Sequence, residues 1–162
     1  AIAIACEPKL LIADEPTTAL DVTIQAQILD LLRRQQRERN MSMILITHNL
    51  GVVSGYTDDV AIMYAGKIVE KYQTEELIAN PRMPYTEALI NSAPLLSDSP
   101  HTRLQAIPGL PPDLLNLPEG CRFQARCPYV QDKCKAATPE LEDDSEHSFA
   151  CWRPIGDGRD KA

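Results

Sequence analysis

Positive charge is scarce in this chain. Sixteen Lys and Arg face 23 Asp and Glu, leaving a formal net charge of −7. No basic face therefore suggests nucleic acid, and the charge reads simply as solubility. Apolar runs are short, and none approaches the roughly 18 residues of a membrane-spanning helix. The first residues are apolar but lack a basic flank and a cleavage site, so no secretory signal is expected in them. There is no GxxxxGK[ST] segment, hence no P-loop lysine and no nest of backbone amides for nucleotide phosphates. Internal repeats and a CxxC knuckle are also lacking. At 162 residues the chain can bury a sizeable core, and its length suits one domain plus an appendage.

What is present begins with LLIADEPTTALD. Leu10, Leu11, Ile12 and Ala13 form a continuous apolar run, the pattern of a strand buried on both faces of a parallel sheet. It ends in Asp14 and Glu15, then Pro16. Acids at the carboxyl end of such a strand stand where open α/β sheets bind ligands. One carboxylate there can hold a phosphate-bound Mg²⁺, usually through water. The other can orient or deprotonate an attacking water. The bland alternative is a helix N-terminus, with the acids complementing the dipole and Thr17 or Thr18 as cap. A second apolar strand, Met43 to Thr47, ends at His48.

Between and beyond these strands the breakers are regular. Asp21 can cap a helix whose apolar face is Ile24, Ile28, Leu31 and Leu32. Arg33, Arg34, Arg37 and Arg39 crowd its last turns, where cations suit the dipole, and read as a solvated face. A short helix from about Asn49 to Tyr56 is expected next. The strand Val60–Tyr64 then turns at Ala65-Gly66 into Lys67–Lys71, an edge hairpin. Thr74-Glu75-Glu76 starts a helix ended by Asn80-Pro81. Strands alternating with helices give an α/β core. Residues 81–120 carry eight prolines and read as one helix, about Tyr85–Asn91, followed by stiffened linker.

Four cysteines gather near the end: Cys121, Cys127, Cys134 and Cys151. Their spacing is C-x5-C-x6-C-x16-C, which matches neither common zinc knuckles nor the familiar ferredoxin runs. Clustered thiols in a reducing compartment point to metal or redox chemistry more often than to disulfides. Four thiolates could hold zinc or a [4Fe–4S] cluster, and the spacing does not choose between them. Cys6, in an apolar stretch expected to be helical, reads as a small core residue, and His147 as a surface histidine.

Taken together, Leu10 to Glu15, Ala19-Leu20-Asp21 and Thr47-His48 resemble the Walker B strand with its glutamate, the D-loop and the H-loop of an ABC-transporter ATPase. The leading AIAIACEPKLL is similar to the helix that follows the signature loop in that family. NPRMPYTEALINSAP, the proline-rich stretch and GCRFQARCPY resemble the C-terminal extension of one branch, the dipeptide/oligopeptide (and related nickel) importers. Met83 departs from the histidine common at its position there. The resemblance implies an α/β fold: the C-terminal half of a RecA-like ABC ATPase domain with a proline-rich, cysteine-containing extension. It divides the chain into a partial ATPase domain at 1–80, a helix and linker at 81–120, and a four-cysteine extension at 121–162.

The same resemblance implies ATP hydrolysis that powers import of di- or oligopeptides. Two ATPase subunits would close head-to-tail around two ATP molecules. Asp14 would organise Mg²⁺, Glu15 would polarise the attacking water, His48 would reach the γ-phosphate, and Asp21 would sit at the dimer seam. Expected partners are the membrane permease subunits, a second ATPase subunit and, indirectly, an extracytoplasmic solute-binding protein. The expected location is the cytoplasmic face of the membrane. Some members of the branch carry a [4Fe–4S] cluster on such cysteines, which favours iron–sulfur over zinc here. The signature and Q-loop are missing and residue 1 would fall just after the signature. The expectation is thus a piece of a longer polypeptide, inactive alone, with a sheet edge left open. A standalone metal-binding regulatory module is the alternative. A DNA-repair or translation ATPase would not be expected to carry the two C-terminal segments.

Overall fold

The structure, a computed structural model, describes residues 2–93, 106–141 and 147–156. The chain divides into two compact units, Ala1–Thr57 and Asp58–Ala162.

The first unit is a β-α-β unit with a further helix. Strand β1 (Leu10–Asp14) pairs in parallel with β2 (Ser42–Ile46), with Leu10 opposite Ser42 and Asp14 opposite Ile46. Helix α1 (Val22–Arg39) makes the crossover, and α2 (Leu50–Tyr56) follows β2. Asp21 caps α1 as the sequence implies, its carboxylate accepting from Ile24 N–H at 3.0 Å. Asn49 caps α2, accepting from Gly51 and Val52. The face of α1 that is buried centres on Leu29, 2 % exposed, while Ile24 and Leu31 remain exposed. The amphipathic stripe is thus rotated from the one read along the sequence.

Two expectations are corrected here. Strand β1 alternates, with Leu11 and Ala13 buried but Leu10 and Ile12 exposed, alongside Ile44 and Ile46 of β2. A run of apolar residues says that both faces can be buried; what covers the second face is a separate matter, and among the described residues nothing does. The leading segment forms only a 3₁₀ turn, Ile2–Ile4, and Cys6 is exposed rather than in a core.

The second unit is built on an antiparallel sheet, β3 (Asp59–Tyr64), β4 (Lys67–Gln73) and a two-residue β5 (Ser148–Phe149), in the order β3-β4-β5. The hairpin turns at Ala65 and Gly66, both with positive φ (47° and 82°), the conformation of the two-residue turns that suit strand twist. Helices α3 (Thr74–Ala79) and α4 (Pro84–Ser92) follow, close to the predicted spans. Pro84 occupies the first turn of α4, where its missing N–H costs nothing. Phe123, 1 % exposed, packs its ring 5.3 Å from those of Tyr64 and Tyr85. This aromatic knot ties the cysteine segment to the sheet and to α4.

The proline-rich stretch, where described, has no regular structure over 106–120. Arg126 holds it, donating to the carbonyls of Pro108 and Ile107 at 2.9 and 3.2 Å. Pro94 and Pro100 of the predicted linker lie outside the described residues. A short helix α5 (Asp132–Ala136) carries Cys134.

Candidate functional site

Because β1 and β2 run parallel, their carboxyl ends lie side by side, and each delivers a chemically capable residue there. Asp14 ends β1 and is exposed. Glu15 follows, and its N–H donates to the Ile46 carbonyl at 2.9 Å, extending the parallel pairing by one step. Its φ is +42°, a left-handed conformation that disfavours residues with a Cβ.

The carboxylate of Glu15 is gripped from both sides. Thr18 Oγ1 donates to Oε2 at 2.8 Å, and His48 Nδ1 lies 3.1 Å from Oε1. Hydrogen bonding from Thr18 first, and from His48 second, holds the Glu15 carboxyl below the ordinary carboxylate value. The side chains of Glu15 and His48 are 46 % and 78 % exposed, so a ligand can reach both. A carboxylate with lowered proton affinity is a weak base. Its aptitude is to orient and polarise a water. With its Nδ1 directed at Glu15, His48 keeps Nε2 for a second partner.

Of the residues proposed from sequence, the structure brings Glu15 and His48 into contact and places Asp14 beside them in the chain. Asp21 is engaged in its helix cap, and among the described residues it makes no hydrogen bond to Glu15 or His48. Thr18 was not singled out as a partner of Glu15, although its place three residues on, in a tight turn closed by Thr18 N–H to the Glu15 carbonyl at 3.2 Å, is the signal that finds it.

The second unit gathers the four C-terminal cysteines. All four line one small void of about 10 Å³, with Met83, Pro84 and Phe123 among the other walls. None is in a disulfide. Burial pushes the Cys121 and Cys127 thiols up, and their neighbouring cysteines add to it. Cys151 is pushed up to about 12, by burial first, with Cys127, Cys121 and Cys134 each contributing. The chain is pinched to make this pocket. Cys121 N–H donates to the Cys134 carbonyl at 2.7 Å, and Thr138 Oγ1 donates to the carbonyls of Glu119 and Gly120. A Cβ on Gly120 would run into the Cys134 carbonyl oxygen and lie 2.7 Å from the Lys135 carbonyl.

Soft thiols suit iron–sulfur clusters and zinc, and buried thiols raised in this way ionise when a cation replaces their protons. The donor set therefore fits a thiolate-bound metal. As the side chains stand, no group of three or more His, Cys, Asp or Glu among the described residues is disposed to hold an ion. The void has room for about one water-sized sphere.

His147 is not the surface residue read from sequence. Its ring stacks on Tyr72 at 4.5 Å and its Nε2 lies 2.8 Å from Glu70 Oε1, a carboxylate that is 0 % exposed.

The family described as the C-terminal region of oligopeptide/dipeptide transporters matches residues 69–134. A Brucella ovis protein named for peptide import and ATP binding is 51 % identical over 152 residues, covering 91 % of this chain and 45 % of that protein. The oligopeptide transport ATP-binding protein OppD of Salmonella typhimurium is 48 % identical over 155 residues, covering 96 % of this chain and 46 % of its own length. The chain thus spans about half the length of these relatives. Among solved structures, cbiO1 of Clostridium perfringens, part of the ABC transporter complex cbiONQ, is 37 % identical. It covers 45 % of this chain and 29 % of that one, and the TM-score of 0.43 is too low to add to the fold. By the sequence matches, the chain is similar over most of its length to part of the oligopeptide transport ATP-binding proteins, and residues 69–134 match the C-terminal region of oligopeptide/dipeptide transporters.

Proposed function

We propose that the first unit supplies the hydrolytic half of an ATP site in a subunit that drives peptide import. The observation that carries this is the Glu15–His48 contact at the carboxyl ends of two parallel strands, with Asp14 at its side. Asp14 fits Mg²⁺ as an exposed hard oxygen donor at the strand end; that ion would supply charge neutralisation at the phosphates. Glu15, ionised and held by Thr18 and His48, orients the attacking water. His48, exposed and with Nε2 not directed at Glu15, would reach the γ-phosphate. Asp21 stands at the seam with a second ATPase subunit once that subunit approaches. Phosphoryl transfer depends mostly on positioning and charge stabilisation, so each of these parts matters.

In this reading the chain works with permease subunits at the cytoplasmic face of the membrane, and a solute-binding protein delivers peptide to them. These 162 residues contain no P-loop segment, so we expect them neither to bind ATP tightly nor to hydrolyse it by themselves. The test is Glu15→Gln in a subunit that includes a P-loop. That variant should bind ATP and nearly stop turning it over. Wild-type turnover in it would sink the role of Glu15, and micromolar ATP affinity of the present chain by calorimetry would sink the half-site reading.

A second proposal concerns the extension. The four thiols around one void support a thiolate-bound metal centre on Cys121, Cys127, Cys134 and Cys151, an iron–sulfur cluster by family resemblance and zinc as the alternative. Anaerobic reconstitution separates them: a cluster gives a brown protein with broad visible absorption, and zinc gives a colourless one. Loading with neither metal would refute the proposal.

A further inference from the structure

We propose that Glu70 and His147 form a latch that positions Cys151 against the other three cysteines. The inference rests on the reading of these thiols as metal ligands, though its geometry does not depend on it.

Three of the cysteines come from one stretch, 121–134, and are drawn together by the Gly120 approach and the Cys121–Cys134 backbone hydrogen bond. Cys151 comes from another segment, 147–156, and needs its own anchor. Glu70 supplies it. This carboxylate sits on β4, wholly buried, where a charge is costly unless donors surround it. Three donors reach it: Arg82 N–H at 2.6 Å, Met83 N–H at 3.2 Å and His147 Nε2 at 2.8 Å.

Two of these donors lead to the cysteine pocket. Met83 is itself a wall of that void. His147 begins the segment that pairs with β4, Lys71 opposite Ser148 and Glu70 opposite Phe149. Ala150 N–H then donates to the Val69 carbonyl at 2.9 Å, and Cys151 is the next residue. The pairing runs from Ser148 to Ala150, so the register set at His147 fixes where Cys151 leaves the sheet. Tyr72 stacks flat on the histidine ring, 7° from parallel, and holds it in that register. A two-residue strand has little pairing of its own, so a side-chain anchor at its start carries much of the work. Glu70 and His147 are positioning residues: they touch no metal, and act through Met83 and the strand.

The test uses the 162-residue chain, metal-free and reduced, with thiol alkylation followed residue by residue by mass spectrometry. His147→Ala should speed alkylation of Cys151 about tenfold, the local opening that loss of one charge-assisted hydrogen bond allows. Cys121 and Cys127 should stay within about twofold of wild type by the same measure. His147→Gln, which keeps an N–H donor within reach of Glu70, should restore most of the protection. Should His147→Ala lose its folded circular dichroism, Tyr72→Leu, which removes only the stacking ring, is scored in the same way. In a second arm, cobalt(II) is the probe, and His147→Ala should lack one thiolate's share of the charge-transfer absorption. An unchanged Cys151 rate, or an equal rise at all the cysteines, overturns the latch. Failure of the wild-type chain to take up cobalt overturns the metal reading instead, and leaves the alkylation arm to judge the latch.

Discussion

The close backbone approach at Gly120 makes a quantitative prediction for Gly120→Ala. The added methyl would overlap the Cys134 carbonyl oxygen and stand 2.7 Å from the carbonyl carbon and oxygen of Lys135. All of these are backbone atoms, so no side chain can rotate away, and the loop must move by roughly an ångström. Overpacking of this kind costs about 1–3 kcal/mol. The same movement stretches the 2.7 Å hydrogen bond from Cys121 N–H to the Cys134 carbonyl, worth about 1 kcal/mol. The sum is roughly 2–4 kcal/mol, which for a unit of about 100 residues lowers the melting temperature by about 10 °C or more. Gly55→Ala is the internal contrast: nothing lies within 4 Å of the new Cβ, the site is in α2, and alanine should stabilise by about 0.5–1 kcal/mol. Thermal and urea melts of both variants, metal-free, are the assay. If Gly120→Ala melts with the wild type, the pinch that closes the cysteine pocket is not formed and the reasoning fails.

Asp21→Ala removes the side-chain acceptor for Ile24 N–H and should cost the first unit about 1 kcal/mol, read as a lower urea midpoint with unchanged slope. Glu15 is held below the ordinary carboxylate value, so the stability it contributes is present above that value, about 4.3, and is lost as pH falls through its lowered folded value. A carboxyl-carbon NMR titration should show this, and Thr18→Val should move the midpoint back up. The Cys151 thiol is raised, so the metal-free fold has its full stability below the ordinary thiol value of about 8.5 and loses it as pH rises toward about 12. Urea midpoints that stay flat above pH 9 in wild type, or match those of Cys151→Ala, would contradict this.

Much of this was readable from local sequence signals. Asp21 and Asn49 cap the helices they precede, Pro84 starts α4, and Ala65-Gly66 turns the hairpin. Each is a short-range device, settled within a few residues. The contact of Glu15 with His48, 33 residues apart, was readable only because two apolar runs announced parallel strands whose ends would meet. What escaped depends on distant partners. Glu70 is an acid in a strand that otherwise faces solvent at its charged positions, and nothing near it in sequence says that His147, 77 residues on, will cover it. The second face of β1 escaped for the converse reason: an apolar run records a capacity for burial, and its cover lies outside the run.

Glu15 itself stands in a backbone conformation that glycine or asparagine would adopt more easily, at a cost of roughly 1 kcal/mol to a residue with a Cβ. Backbone conformation alone would favour Glu15→Gly or Glu15→Asn, against the loss of the contacts with Thr18 and His48. On the proposed function, Glu15→Gly relieves this backbone and removes the water-orienting carboxylate in one stroke.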